Sequence, residues 1–294
     1  MKVNPVLRNE TKIAARSIKF TLMILAYVAV LSIAVMIYYN VINSEAFYNG
    51  LNLKSSTNFY VVMAVVQAAL LFSIVPSLSS TAICSEREKQ TLDILLSTKL
   101  TPLQIIIGKI SSSSLRVIIL IISMMPLYAV GSLMGGIKIG DILQLIFFFI
   151  INTIFMASIG VFISTYVKTS KVSTTLTYLL IVFIYLGVIA IAFGILAFST
   201  YQHYNANNLT SYMPTISPII YISPVIGFIS LLANQVGIGM EFNSFFTEFG
   251  VSMYSEYISI LIQLVLSVIF IYLAKIKLNP LNKRSKIKSK KVKE

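Results

Sequence analysis

The sequence predicts an all-α polytopic membrane protein with six transmembrane helices. An amphipathic helix precedes the first span, a short helix follows the second, and a short re-entrant helical pair lies before the last. Three observations carry this. Hydrophobic residues make up 57% of the 294 and charged residues only 11%, against roughly 25% in a soluble domain, so a soluble enzyme is excluded. The apolar residues come in long blocks, with a mean hydropathy of +0.86, as multi-span membrane proteins require. The 23 Lys and Arg residues behind the net charge of +13 fall almost wholly on one side of those blocks, which sets orientation and an even span number.

The amphipathic helix is read over residues 1–19. Asn4 suits an N-cap, and Pro5 suits the first helical position, where a missing N–H costs nothing. Arg8, Lys12, Arg16 and Lys19 recur at spacings of four, four and three, giving a basic face, while Leu7, Ala14 and Ile18 lie on an apolar one. Such a helix rests in the interface with its basic side toward the lipid headgroups.

Charge-free stretches run over 20–42, 59–83, 117–137, 142–167, 176–198 and 257–274, each near the ~20 residues a helix needs to cross about 30 Å of hydrocarbon. The first follows a basic segment, as a signal peptide would. Its apolar core exceeds the usual ~7–15 residues and no clear small-residue cleavage site follows, so it reads as an uncleaved span. Twenty-one of the 23 basic residues lie before the first span, within 84–116, within 168–175 or after 274, leaving only Lys54 and Lys138 on the other side. Both termini are therefore expected in the cytoplasm. A seventh apolar run, 216–233, would put the basic tail outside if it crossed, and it contains Pro218 and Pro224. A re-entrant or outer-leaflet helical pair is expected there, over about 216–234. The membrane domain thus covers 20–274, and the basic tail 275–294 reads as a topology determinant and lipid-surface contact, with no nucleic-acid role.

The chemistry of enzymes is missing from the pattern. A single cysteine, Cys84, excludes an internal disulfide or a cysteine metal cluster, and a single histidine, His203, excludes a multi-histidine zinc site. There is no H-E-x-x-H and no G-x-S-x-G, and Gly108-Lys109 lacks the rest of a phosphate-binding loop. No catalytic, cofactor or metal residue is therefore expected on this chain. No charged residue sits near the middle of a span, which disfavours an ion-coupled transporter. Gln67, Asn152 and Gln263 are the notable uncharged polar residues in the spans; each can serve interhelical hydrogen bonding or line a substrate path. Gly131-Ser132-Leu133-Met134-Gly135 reads mainly as local helix packing.

The loop after the second span is the most specific segment. It runs Ser85-Glu86-Arg87-Glu88-Lys89-Gln90-Thr91-Leu92-Asp93-Ile94-Leu95-Leu96-Ser97-Thr98. Ser85 and Glu88 are spaced as a capping box, and the acidic residues suit the first turn of a helix. Leu92, Leu95 and Leu96 form an i, i+3, i+4 stripe, which is expected either to dock on a partner or to rest against neighbouring spans. Thr101-Pro102-Leu103-Gln104 is a second start signal, so the third membrane helix begins well before the bilayer and carries Lys109 and Arg116 at cytoplasmic depth.

Asn4-Pro5-Val6-Leu7-Arg8-Asn9-Glu10 resembles the opening of ATP-binding-cassette type-2 permeases. The run from Glu86 to Thr98, with Thr101-Pro102-Leu103 and Gly108-Lys109, is similar to that family's signature loop. The family usually has Gly where this chain has Gln90 and Glu where it has Asp93. The resemblance implies an exporter half: residues 1–19 become an elbow helix, and about 85–98 a coupling helix seated in a groove of a separate cytoplasmic ATPase. Glu86, Arg87, Glu88, Thr91, Leu92, Leu95 and Leu96 would form the coupling interface. Asn4, Pro5, Arg8, Lys12 and Arg16 would belong to the elbow. It further implies two ATPase copies carrying the ATP and magnesium, and a second permease chain as homodimer or heterodimer. The setting would be a bacterial cell membrane with its lipids. The competing reading is a membrane sensor or accessory subunit that transmits ATPase motion without passing a substrate.

Overall fold

A computed structural model of the chain describes residues 7, 10–12, 16–49, 54–97, 100–133, 137–205, 217–237 and 254–278. The elements are α1 (Ile18–Asn49), α2 (Lys54–Ser79), the short α3 (Cys84–Glu88) and α4 (Leu92–Ser97), α5 (Pro102–Ser123), α6 (Met125–Leu133), α7 (Ile139–Tyr166) and α8 (Ser170–Val182). A π-helical turn (Phe183–Gly187) joins α8 to α9 (Val188–Asn205); a 3₁₀ turn (Pro218–Ile222), α10 (Pro224–Val236) and α11 (Ser255–Leu278) complete the order. No strand occurs among the described residues. Six of the helical segments are long and apolar enough to cross a membrane, and they fall on the six stretches the hydropathy pattern marks.

The seventh apolar run folds as a 3₁₀ turn followed by an α-helix shorter than the six candidate spans. Its two prolines each occupy a helix start, and the α-helical part has only 13 residues. Ser223 caps α10 by accepting from the Val225 N–H at 3.3 Å, and Gly237, at φ +83°, supplies the left-handed residue that ends it.

The bundle is organised around α7, which packs against α2, α5, α8, α10 and α11. Close packing between membrane helices comes from small residues, because lipid tails are as apolar as leucine and burial alone drives no association. Gly160 on α7 illustrates this: a Cβ there would lie 2.7 Å from the Ser79 Cβ and 3.0 Å from the Ser79 carbonyl carbon. Gly227 on α10 meets Ser259 of α11 just as closely, with Ser259 Cβ at 2.5 Å from the added carbon. By contrast α1 is peripheral, with Leu22, Leu25, Ile33 and Met36 all more than half exposed.

The expected start of α5 is formed in full. Thr101 Oγ1 accepts from the Gln104 N–H at 3.3 Å, and Gln104 Oε1 accepts from the Thr101 N–H at 2.9 Å, with Pro102 in the first turn. The single helix expected over about 85–98 is instead two. The chain turns at Lys89 and Gln90, where Gln90 adopts φ +58°, a region that breaks a right-handed helix. A glycine enters that region at little cost, which gives a physical reason for the family's usual glycine here. The Ser85–Glu88 capping box does not form: α3 begins at Cys84, with Ile83 at its N-cap and no side-chain cap, and the Glu88 carboxylate is engaged by Ser170 instead.

Candidate functional site

Residues 84–97 form a helix–turn–helix hairpin tied to the ends of α7 and α8. Ser164 Oγ accepts from the backbone N–H groups of Ile83 and Cys84, both at 2.9 Å. Arg87 Nη1 donates to the Val167 carbonyl at 2.6 Å and Nη2 to the Thr165 carbonyl at 3.2 Å. These are carbonyls at the C-terminus of α7, where a helix leaves acceptors unpaired and favours a cation. The adjacent Glu88 does the converse. Its carboxylate accepts from Ser170 N–H at 2.7 Å and Ser170 Oγ–H at 2.6 Å, at the first turn of α8, where donors are unpaired and an anion is favoured. Two neighbouring residues of opposite charge therefore hold both sides of the 167–170 corner.

Glu86 takes part in a second cluster. Lys109 Nζ, on α5, lies 2.8 Å from Glu86 Oε1 and is also paired with Glu10 from the N-terminal segment. The Lys109 side chain is only 7% exposed; an ammonium so deeply placed needs its carboxylates. Thr91 precedes α4 and donates its hydroxyl to the Glu86 carboxylate, joining the two hairpin helices.

The leucine stripe points inward. Leu92 is buried, and Leu95 and Leu96 are partly buried against the core, so the reading in which the stripe rests on neighbouring spans describes their contacts. The outward side of the hairpin carries Glu88, Lys89, Gln90, Asp93, Ile94 and Ser97. Ile94 is 67% exposed; it falls off the stripe, so the periodicity of the leucines did not single it out. Ser164, Ser170 and Glu10 were also missed by sequence reasoning, since their partners lie more than 75 residues away in the chain. Of the elbow residues, Lys12 and Arg16 are exposed, whereas Asn4, Pro5 and Arg8 lie outside the described residues, as does the tail beyond 278.

The three polar residues of the spans divide. Gln67 is buried and its carbonyl accepts from the Tyr128 hydroxyl. Gln263 is buried, donating to Ser259 Oγ at 3.2 Å. Asn152 lines a cavity: it accepts from the Tyr185 hydroxyl in a space of about 570 Å³ bounded by α2, α7, the π-helical turn and α10. Its walls include Phe72, Phe149, Leu186 and Phe228 and carry no charged side chain. A π-helical turn inside a long helix is rare and frequently marks a functional position.

No group of three or more His, Cys, Asp or Glu residues placed to hold a metal occurs among the described residues. Among curated proteins, none matches the chain. The family described as ABC-2 family transporter protein matches over residues 5–277, which takes in the hairpin, the cavity and all six candidate spans. The chain belongs to the ABC-2 transporter family, as a multi-pass membrane permease subunit of an ABC transporter.

Proposed function

We propose that this permease forms half of an ATP-driven exporter, with ATP and magnesium bound by two copies of a separate cytoplasmic ATPase and a second permease chain completing the pathway. The observation that carries the reading is the hairpin's double attachment: Arg87 holds the end of α7 while Glu88 holds the start of α8. A force applied to the hairpin tip therefore reaches α7, which borders the Asn152 cavity, and α8, which runs into the π-helical turn on the same cavity.

In this reading the interface residues have two roles. Glu86, Arg87, Glu88, Thr91, Leu92, Leu95 and Leu96 build the hairpin and fasten it to the bundle. Ile94, with Lys89, Gln90 and Asp93 around it, meets the ATPase. The termini and hairpin face the cytoplasm of a bacterial cell, as the charge asymmetry favours. The exposed apolar flanks of α1 and of α8–α9 face lipid and the second permease chain.

The test is co-reconstitution in liposomes with a candidate ABC ATPase from the same cell. External ATP added to inside-out molecules should drive a cargo into the lumen and be hydrolysed faster when the permease is present. Hydrolysis that responds to a ligand with no cargo movement would favour the sensor reading; movement driven by a proton or sodium gradient without the ATPase would overturn both.

A further inference from the structure

A second cavity lies at the hairpin end of the bundle, between the start of α1, the end of α2 and the first half of α5. It encloses about 460 Å³ and is lined by five charged side chains: Glu10, Lys19, Glu86, Lys109 and Arg116. Lys109 is engaged by both carboxylates, so those three groups together carry one negative charge. Lys19 and Arg116 remain, with two positive charges. Neither is in an ion pair with any described residue. Arg116 donates within its own helix, to the Ser112 carbonyl at 3.2 Å and more weakly to Ser112 Oγ at 3.4 Å, leaving most of its five N–H donors for another acceptor. It is half-buried and immediately precedes the apolar stretch of α5, where a guanidinium removed from part of its water favours a further acceptor.

We propose that this cavity binds the phosphodiester of an anionic phospholipid, held by Lys19 and Arg116. One phosphodiester carries one negative charge and brings the five side chains and the ligand to neutrality. Depth favours a lipid over a soluble anion. The cavity wall continues into Phe20, Met23 and Leu78, a surface for the glycerol backbone and first acyl methylenes. The flank of α1 beyond it, at Leu22 and Leu25, is exposed, as a lipid-facing surface would be. The hydroxyls of Ser17 and Thr81 on the lining supply neutral donors to the remaining phosphate oxygens. The site requires only that the helices stand in a bilayer, so it is independent of the direction of transport.

The experiment uses the full chain purified in a neutral detergent, with phosphatidylglycerol or phosphatidylcholine added in mixed micelles, and bound lipid counted by native mass spectrometry. Glycerol phosphate at matched concentration forms a third arm. Wild type should retain phosphatidylglycerol in preference to phosphatidylcholine and to glycerol phosphate. Lys19→Gln and Arg116→Gln should each lower that retention about five-fold, the worth of one basic residue near a lipid phosphate, while Arg116→Lys restores part of it. Lys19 is exposed, so its variant tests the site without threatening the fold. A Lys171→Gln variant, on the exposed first turn of α8 and outside the cavity lining, should retain lipid as wild type does. The proposal is overturned if Lys19→Gln retains phosphatidylglycerol as wild type does, if Lys171→Gln causes the same loss, if phosphatidylcholine binds equally, or if glycerol phosphate binds as well as the lipid.

Discussion

Ile94 and Leu92 are two residues apart and point opposite ways, which makes them a matched pair for testing how the hairpin works. Burying an isoleucine side chain is worth roughly 1.5–3 kcal/mol. With 67% of Ile94 still open to water, docking can recover about two-thirds of that, or about 1–2 kcal/mol. Ile94→Ala should therefore weaken ATPase binding by a factor of about 5–30, without changing the melting temperature of the isolated permease. Leu92 is 8% exposed within the core, and truncating a buried leucine costs about 2–5 kcal/mol in stability, so Leu92→Ala should lower that temperature first. The assays are titration of detergent-solubilised permease with the ATPase, and thermal unfolding of the permease alone. If Ile94→Ala binds as wild type does while Leu92→Ala loses binding at unchanged melting temperature, the outward assignment of Ile94 is wrong.

Three other outcomes are expected. Gln90→Gly should raise the melting temperature, because a left-handed non-glycine residue costs about 1–2 kcal/mol and Gln90 sits at φ +58°; an unchanged or lower temperature counts against strain at the turn. Gly160→Ala should lower it, since the new Cβ meets Ser79 at 2.7–3.0 Å and overpacking costs about 1–3 kcal/mol; a silent variant would mean that α2 and α7 are not in close contact. Single cysteines placed at residues 2 and 290 should resist an impermeant thiol reagent in intact cells, and those at 49 and 207 should react. Labelling that places residues 207 and 245 on opposite sides would mean that the Pro218–Val236 region spans the membrane.

The large elements were legible because each is signalled within one segment. Six apolar runs announce six helices, Thr101 and Gln104 write their own cap, and Pro218 and Pro224 each start a short helical element in the seventh run. The hairpin was legible as a special segment but not in its orientation. A three-residue leucine stripe states that one face is apolar and leaves open what covers it; the answer is tertiary, with Leu92 buried in the core and Ile94 exposed. The same holds for charge. Glu86 and Glu88 look like surface acids in the sequence, yet one is committed to Lys109, 23 residues later, and the other to Ser170, 82 residues later. Asn152 is set apart by the cavity it lines beside the π-helical turn, a tertiary arrangement that no local pattern encodes.

The central claim is that the outward face of the hairpin carries the ATPase. A photo-activatable amino acid placed at residue 94, irradiated in native membranes, tests it most directly. The account predicts a covalent adduct at 94 whose partner peptide belongs to an ABC ATPase, and none from the same probe at residue 92. An adduct at 92 with none at 94, or adducts to this ATPase from a probe at residue 221 on the 3₁₀ turn, would contradict it.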